Sequence, residues 1–272
     1  MQKSKNKAQN SSLAKTTKEQ PTKRLVETLK LRFDLPLRPD EIYQFRGAVA
    51  DAAGWENNLF HNHGYRAPEM TQPGAAKTAA TEKTIDSPNS NKAVFYRYPL
   101  IQYRSEGGKA TIWAMNAGIK SLQQWLNRGM DNFSIGGRRR SLKIVDFKGA
   151  DAFLEKTESF HTYRLMDWLA LNQENYQKWL KMDRHIDRTS LLEKILAGQL
   201  LGFATAANWQ IPNRFDAYIQ HIRSARPVKV HGTQRIAFNL LYRTNLKLPT
   251  GLALGRSVAF GFGVQQPTKQ QL

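Results

Sequence analysis

The order of apolar patterns in the first half of this chain constrains its fold more than any other feature. Residues 25–35 alternate apolar and polar side chains, which is typical of a strand, and helical spacing predicts a helix at 41–53. The stretches VFYRYPLIQY and KATIWAM flank SEGG, which predicts a β-hairpin. A helix at 118–128 and a basic strand at 138–147 complete the order β-α-β-β-α-β. That order is the pattern of the ferredoxin-like, or RRM-like, unit.

The second half contains a looser version of the same pattern. A strand is predicted near 160–169, and LNQENYQKWLKM and residues 188–206 have the periodicity of helices. Strands at 226–231 and 234–246 follow, before the glycine-rich stretch LPTGLALGRSVAFGFG. We therefore predict an α+β protein with two tandem ferredoxin-like domains.

Composition divides the chain into segments. The predicted organisation is a disordered basic tail at 1–23, an N-terminal domain at 24–150 with a flexible insertion at 67–93, a C-terminal domain at 151–266 and a short tail at 267–272.

Positive charge indicates the class of partner. The formal net charge is +19, the sequence pI is about 10.2, and residues 1–24 contribute only six of the excess charges. A folded body this basic is typical of proteins that bind nucleic acid, although a solvated basic surface or a membrane-surface protein has the same charge. The sequence has no long apolar run and no strongly basic amphipathic helix, so we expect no membrane association.

The chain contains no cysteine, which excludes disulfides, zinc ribbons, iron–sulfur clusters and cysteine nucleophiles. This composition and the absence of a secretory-type apolar segment near the N-terminus fit a cytoplasmic protein.

The glycine-rich segment near the C-terminus is a candidate phosphate-binding loop, because glycine allows backbone N–H groups to approach a phosphate. A glycine-kinked hairpin without a ligand is the alternative. The segment is neither a Walker loop nor a dinucleotide fingerprint, because it lacks the terminal Gly-Lys-Ser/Thr and the strand–glycine–helix order. Its candidate RNA-binding residues are Lys247, Gly251, Gly255, Arg256, Gly261 and Gly263.

Five ordered stretches carry a family resemblance. They are LRPDEIYQFRGAV, NNLFHNH, YRYPLIQYRSEGGKATIWAMNAGI, LNQENYQKWL with LLEKILAGQLLGFA, and NLKLPTGLALGRSVAFGFG. Together they resemble the CRISPR-associated repeat endoribonucleases, the "Cas six" family of the RAMP superfamily, over roughly residues 25–265. The basic tail and the insertion depart from the family pattern.

The resemblance implies a protein that binds the repeat hairpin of precursor CRISPR RNA and cuts it without a metal or another cofactor. The RNA's own 2′-hydroxyl would be the nucleophile, and the products would be a 2′,3′-cyclic phosphate and a 5′-hydroxyl. The enzyme would then have to remove one proton, donate another and stabilise a charged phosphorane.

Histidine suits these proton transfers because its unperturbed pKa lies near pH 6.5. The family's catalytic histidines lie near the first helix, which corresponds here to His61 and His63. In an extended segment, residues two apart face the same side. Metal ligation or a hydrogen-bonded loop is the alternative, but two histidines without a nearby carboxylate or third histidine make a poor metal site. Tyr43 corresponds to a catalytic tyrosine of some relatives, or is a half-buried helix residue.

Further cations are candidate RNA contacts. Lys109 lies in the hairpin, and Arg138, Arg139 and Arg140 open the predicted basic strand. Arginine binds phosphates through its planar fork, and A-form hairpins are recognised largely by shape and backbone. A solvated lysine and a charged edge strand that opposes aggregation are the alternatives.

Two other functions compete with cleavage. The chain could hold repeat RNA without cutting it, as a subunit of a CRISPR effector complex, or it could be a general RRM-like RNA-binding protein. SVAFGFGV resembles an RRM signature strand but lacks the leading Lys/Arg-Gly. A metal-dependent nuclease is disfavoured because no acidic pair or triad is clustered in the sequence.

Overall fold

A computed structural model describes residues 23–54, 56–61, 63–65, 94–96, 98–129, 133–230 and 232–268. Almost all of the predicted N-terminal tail, the whole insertion at 67–93 and residues 269–272 lie outside this range. The elements in chain order are β1 (Lys23–Pro36), α1 (Ile42–Ala53), α2 (Asn58–His61), β2 (His63–Tyr65), β3 (Val94–Tyr96), β4 (Ile101–Glu106), β5 (Lys109–Met115), α3 (Ala117–Asn127), β6 (Ser134–Ile135), β7 (Arg138–Arg139), β8 (Ile144–Trp168), α4 (Gln173–Leu180), α5 (His185–Ala206), β9 (Ala217–Val230), β10 (Thr233–Lys247) and β11 (Val264–Pro267).

A seven-stranded antiparallel sheet forms the frame. Its strand order is β4-β5-β1-β8-β10-β9, and β11 pairs with β8 as well. β4-β5-β1-β8 is the strand order of one ferredoxin-like unit, and β11-β8-β10-β9 is that of a second. The predicted fold class is confirmed.

The long strand β8 belongs to both units. It contains 25 residues, and its first part pairs with β1 from Phe33↔Ile144 to Lys23↔Glu155. Its last part pairs with β10 from Lys247↔Glu155 to Phe238↔Trp168. The domain boundary that we predicted between 150 and 151 therefore falls inside a continuous strand.

Two predicted strands begin at other residues in the structure. The basic strand at 138–147 is wrong in its first part, because Gly136 and Gly137 have positive φ and fold Arg138–Arg139 back onto Ser134–Ile135. The strand predicted at 226–231 begins much earlier, at Ala217. Register shifts opposite β10 place bulges in this strand, so its apolar residues do not alternate regularly.

Helices α1 and α3 cover one face of the first unit. Phe45 of α1 is fully buried and makes edge-on ring contacts with Phe33 of β1 at 6.2 Å and Tyr103 of β4 at 5.8 Å. Trp125 of α3 packs edge-on against Phe33 at 6.4 Å. These aromatic contacts hold α1 at a defined position on the sheet, and α1 carries residues of the candidate site.

Helix α5 covers the second unit through Leu192, Leu196 and Leu200, which lie on one stripe and are buried. The same apolar cluster contains Trp113 and Met115 of β5. These two residues extend the core of the second unit onto the first, whose own core around Phe33, Phe45 and Trp125 is a separate cluster. None of the described helices has both the length and the apolar character needed to cross a bilayer.

The shared strand β8 and the packing of Trp113 and Met115 into the core of the second unit predict that the two units unfold together. Phe45→Ala in the first unit and Leu196→Ala in the second should each destabilise the protein by about 2–5 kcal/mol, the usual cost of such cavities. Both variants should lower the midpoint of one common transition in urea, followed by far-UV circular dichroism and tryptophan fluorescence. Two separate transitions, with each variant shifting only one of them, would contradict this expectation.

Candidate active site and nucleic-acid interface

Arg46 of α1 connects His61 to the C-terminal segment. Its Nη2 donates a hydrogen bond to the backbone carbonyl of His61 at 2.9 Å. Its guanidinium carbon also lies 5.1 Å from the ring centroid of Phe260, within the range of a cation–π contact. We call Arg46, His61, Tyr103 and Phe260 the helix–loop junction. It joins parts of the chain that are about 200 residues apart in sequence.

The glycine-rich segment reaches this junction through a tight turn. Val258–Phe260 forms a single 3₁₀ turn flanked by Ser257 and Gly261, both in the left-handed conformation. Gly261 packs so closely that a Cβ would lie 3.3 Å from the carbonyl oxygen of Tyr103 and 3.4 Å from the Cδ1 of Ile42. The missing side chain lets this turn rest on both β4 and α1.

Two other glycines permit close packing within the protein itself. Gly263 has φ of 68°, and a Cβ there would lie 1.8 Å from the carbonyl oxygen of Leu254. Gly255 has φ of 106°, and a Cβ there would lie 2.8 Å from the indole Cδ1 of Trp168. The structure thus gives each glycine a packing reason, while their predicted contact with phosphate stays a prediction.

Arg104 of β4 anchors the start of the glycine-rich segment. It is buried, donates to the carbonyl of Gly251 and to the Oε1 of Gln102 at 2.7 Å, and lies over the ring of Trp113 at 5.3 Å. Burial lowers the pKa of Arg104 to about 10, and the nearby Glu106 carboxylate, 3.7 Å away, opposes that shift. At neutral pH the guanidinium is therefore still charged and attached to the loop.

The junction combines a cation with a neutral phenol. Burial lowers the pKa of Arg46 from its usual value, but an arginine remains protonated at neutral pH. Burial raises the pKa of Tyr103 well above its usual value, and the Arg46 charge only partly offsets this shift. The junction therefore holds a positive charge adjacent to His61, which is itself buried, with 8% of its surface exposed.

The three predicted catalytic residues lie on three different elements, so His61 and His63 are not two positions of one extended segment. His61 ends α2, within the junction, and His63 begins β2, where its backbone pairs with Tyr96. Tyr43 lies on α1 but is 54% exposed, and its hydroxyl accepts a hydrogen bond from the Nε2 of Gln44 at 2.9 Å. Tyr43 thus lies at the surface, and the alternative of a half-buried residue is not what the structure shows.

The predicted RNA-binding cations are all exposed but lie in different places. Arg138, Arg139 and Arg140 lie on or just after the β6–β7 ribbon, which is held against α1 by a ring contact of 6.0 Å between Phe133 and Phe45. Lys109 begins β5, directly after the hairpin turn.

The two cations of the second unit have different surroundings. Lys247 pairs in register with Glu155 of β8. Burial lowers the pKa of His161, and the charge of Lys247 lowers it further. Arg256 donates its backbone N–H to the carbonyl of Leu169 at 3.0 Å. The predicted cations therefore line several surfaces rather than one pocket.

Arg46 and Arg104 are site residues that the sequence analysis missed. Arg46 is the only basic residue of α1 and follows the buried Phe45, a position at which a cation needs a partner. Arg104 stands at a polar position in the alternating sequence of β4, so no sequence pattern signals its burial. For Arg46 a basic residue at an apolar position was the available signal, but its partners are distant in sequence.

Comparisons with known proteins agree with the fold. The family model described as the Cas6b N-terminal domain matches residues 76–152, and the model described as the Cas6b C-terminal domain matches residues 155–268. Together they span well over half of the chain.

Two solved structures are similar over 90% of this chain and 100% of their own. One is described as Cas6b, with a TM-score of 0.69 and 20% identity. The other is described as the CRISPR RNA processing endoribonuclease Cas6b, with a TM-score of 0.61 and 18% identity. At these identities the likeness supports the fold alone.

One relative has a higher identity over a shorter region. An uncharacterised protein of Methanocaldococcus jannaschii is 31% identical over 96 residues, which cover 35% of this chain and 64% of that protein. This chain thus matches somewhat less than two thirds of that relative's length.

The glycine geometry predicts that two glycine-to-alanine substitutions differ strongly in their effect on the free energy of unfolding. Gly263→Ala should lower the free energy of unfolding by at least about 3 kcal/mol, because the new Cβ meets the Leu254 carbonyl at a positive φ. Gly149→Ala is the matched control, since a Cβ there meets nothing within 4 Å and the site is an exposed strand position. The control should change stability by no more than about 0.5 kcal/mol in urea unfolding. Equal effects of the two variants would contradict the packing explanation.

Proposed function

The chain belongs to the Cas6b family, and from this premise we propose that it is a metal-independent endoribonuclease that binds and cleaves the repeats of precursor CRISPR RNA to produce guide RNAs. The helix–loop junction is the observation that carries the proposal. It brings a buried histidine, a fixed cation and the end of the glycine-rich segment into one chain of contacts.

The proposed reaction is an internal transesterification. The 2′-oxygen of the nucleotide before the cut attacks the adjacent phosphorus, and the bond from phosphorus to the 5′-oxygen of the next nucleotide breaks. A base takes the 2′-hydroxyl proton, and an acid gives a proton to the departing 5′-oxygen. The products are a 2′,3′-cyclic phosphate and a 5′-hydroxyl, so the reaction consumes neither water nor a cofactor.

His61 and His63 are the proposed acid and base. A neutral imidazole accepts a proton and an imidazolium donates one near neutral pH, so one pair of histidines can serve both steps. The bond from Arg46 to the carbonyl of His61 supports this assignment, because it anchors the end of α2 and with it the position of the histidine. Tyr43 is a weaker candidate, since it is exposed on α1 and hydrogen-bonded to its neighbour Gln44.

Arg46 has a proposed electrostatic role. The phosphorane that forms during attack carries more negative charge than the starting phosphodiester, and a preorganised cation stabilises it selectively. Arg46 is half-buried, so its charge is less screened by water than that of a surface arginine. We therefore propose that Arg46 stabilises charge at the scissile phosphate as well as holding His61.

The repeat hairpin is the proposed partner outside the cut. Arg138, Arg139 and Arg140 are exposed on a ribbon adjoining α1, which suits contact with the phosphate backbone of an RNA stem. Lys109, Lys247 and Arg256 are further proposed phosphate contacts, together with the backbone at Gly251, Gly255, Gly261 and Gly263. A cytoplasmic location and association with CRISPR effector subunits complete the proposal.

The decisive experiment measures cleavage of the host's own repeat RNA in EDTA. We expect the wild-type protein to cleave, and His61→Asn to cleave about 100-fold more slowly or worse, because general acid–base catalysis contributes at least this factor. His63→Asn should show a comparable loss. His185→Asn is the matched control, since His185 is exposed at the start of α5, and it should keep the wild-type rate.

The same assay includes a substrate with 2′-deoxyribose before the cut, which the wild-type protein should bind but not cleave. Thermal unfolding checks that the buried His61 variant is folded. Tight binding of the repeat without cleavage would indicate that the protein binds repeat RNA without cutting it. Cleavage of the deoxy substrate would exclude 2′-hydroxyl attack.

The electrostatic role of Arg46 predicts a loss of rate that exceeds any loss of affinity. Arg46→Gln keeps a hydrogen-bond donor but removes the charge, so single-turnover cleavage should slow by about 100-fold. Arg46→Lys should recover part of the rate. Arg38→Gln is the control, because Arg38 is exposed and paired with Asp40 at 3.2 Å. A wild-type rate in Arg46→Gln would refute the electrostatic role.

A further inference from the structure

A planar, positively charged surface lies on the second unit, on the sheet face opposite the α5 core. Tyr242 of β10 is fully buried in that core, so its neighbour Arg243 points to the other face. Arg243 pairs in register with Tyr218 of β9 and Thr162 of β8, and cross-strand partners share a face. This face includes Phe160, which lies in β8 where the pairing with β10 shifts register between Lys156 and His161.

Three side chains on this face form one stack, which we call the aromatic platform: Phe160, Tyr218 and Arg243. The Arg243 guanidinium lies 5.1 Å from the Phe160 ring centroid and 5.6 Å from that of Tyr218, and the two rings are 6.1 Å apart. Phe160 is 36% exposed and Tyr218 is 42% exposed. The platform therefore presents flat, delocalised groups to solvent rather than burying them.

The strands that carry the platform are rich in positive charge, and Asp216 is an acidic neighbour of Tyr218. Strands β9 and β10, from 217 to 247, contain six arginine and lysine residues and no aspartate or glutamate. Arg164 of β8 is exposed and lies opposite Leu241, on the same face as Arg243. A ligand that combines flat apolar groups with repeated negative charge would match this surface.

The platform is distant from the helix–loop junction in the sheet. The junction uses α1 and β4, at one end of the strand order, whereas the platform uses β8, β10 and β9, at the other end. The residues proposed for cleavage are therefore not those of the platform. An RNA that reached both sites would contact the platform with nucleotides away from the cut.

We propose that the aromatic platform binds unpaired nucleobases of RNA by stacking, next to phosphates held by Arg164 and Arg243. Single-stranded RNA combines flat bases with a charge on every nucleotide, and proteins bind it by stacking its bases on aromatic rings and guanidinium planes. A base-paired stem would not fit this role, because its bases already stack on each other. RNA as the ligand rests on the proposed function.

Tyr218 has a partner that orients it for this role. Its hydroxyl donates to the Oδ1 of Asp216 at 3.0 Å, and this hydrogen bond raises the pKa of the phenol, so the ring remains neutral. The ring is thus held in place at one edge while the residue stays 42% exposed. A preorganised ring loses less conformational entropy when a base stacks on it.

The test uses the full chain and a seven-nucleotide oligouridylate with 2-aminopurine at its centre, because stacking quenches the fluorescence of this base. The wild-type protein should quench the probe on binding. Phe160→Leu and Tyr218→Leu keep an apolar side chain but remove the ring, and each should weaken binding about 10-fold and reduce quenching. Arg243→Lys keeps the charge and should still reduce quenching.

Phe147→Leu is the matched control. Phe147 lies on the same strand, β8, and is 74% exposed, but it is outside the platform and should bind the probe as the wild type does. All four substitutions replace exposed residues, and thermal unfolding should show no change in folding. Three results would contradict base stacking on the platform. They are no quenching by the wild type, equal binding of the probe by all variants, and a loss of binding in Phe147→Leu equal to that of the platform variants.

Repeat cleavage by the same preparations separates this inference from the proposed function. A wild-type protein that quenches the probe but does not cut the repeat would refute the endoribonuclease and leave the platform intact. Cleavage of the repeat without quenching of the probe would refute the platform alone.

Discussion

The pairing of β8 with strands of both units is the constraint on which the remaining structure depends. Its first part completes the sheet of one ferredoxin-like unit, and its last part is the first strand of the next. The two pairings meet at Glu155, which lies opposite Lys23 of β1 on one edge and Lys247 of β10 on the other. The two units therefore keep one relative orientation, and Trp113 and Met115 of the first can join the core of the second.

This fixed orientation allows the last part of the chain to return to the first unit. The glycine-rich segment is held by Arg104 at Gly251 and by close contact of Gly261 with Tyr103 and Ile42. Both attachments lie on β4 or α1, and the aromatic contacts of Phe45 hold α1 against β1 and β4. Packing of the first unit thus determines where the C-terminal loop, Arg46 and His61 meet.

The arginines of this fold have two different roles. Buried or half-buried arginines such as Arg46 and Arg104 have specific partners, and their charge organises the loop. Exposed arginines on the β6–β7 ribbon and on β10 are available to a polyanion. Net charge alone does not distinguish these two groups. A buried cation needs partners within the protein, whereas an exposed cation can contact a negatively charged ligand.

Periodicity and residue order were enough to predict both ferredoxin-like units, the four longer helices and the hairpin, because these elements depend on local alternation and helical spacing. The short helix α2 was not predicted. The family motifs also indicate His61 as a candidate catalytic residue, which stays a prediction. The ends of β7, β8 and β9 were missed, since glycine turns and bulges interrupt the alternation. The contact of Arg46 with His61 and Phe260 was not accessible from the sequence, and neither was the stack of Phe160, Tyr218 and Arg243. Both arise from strand pairing and helix packing between distant segments. Local sequence patterns do not predict which distant residues the strand register places side by side.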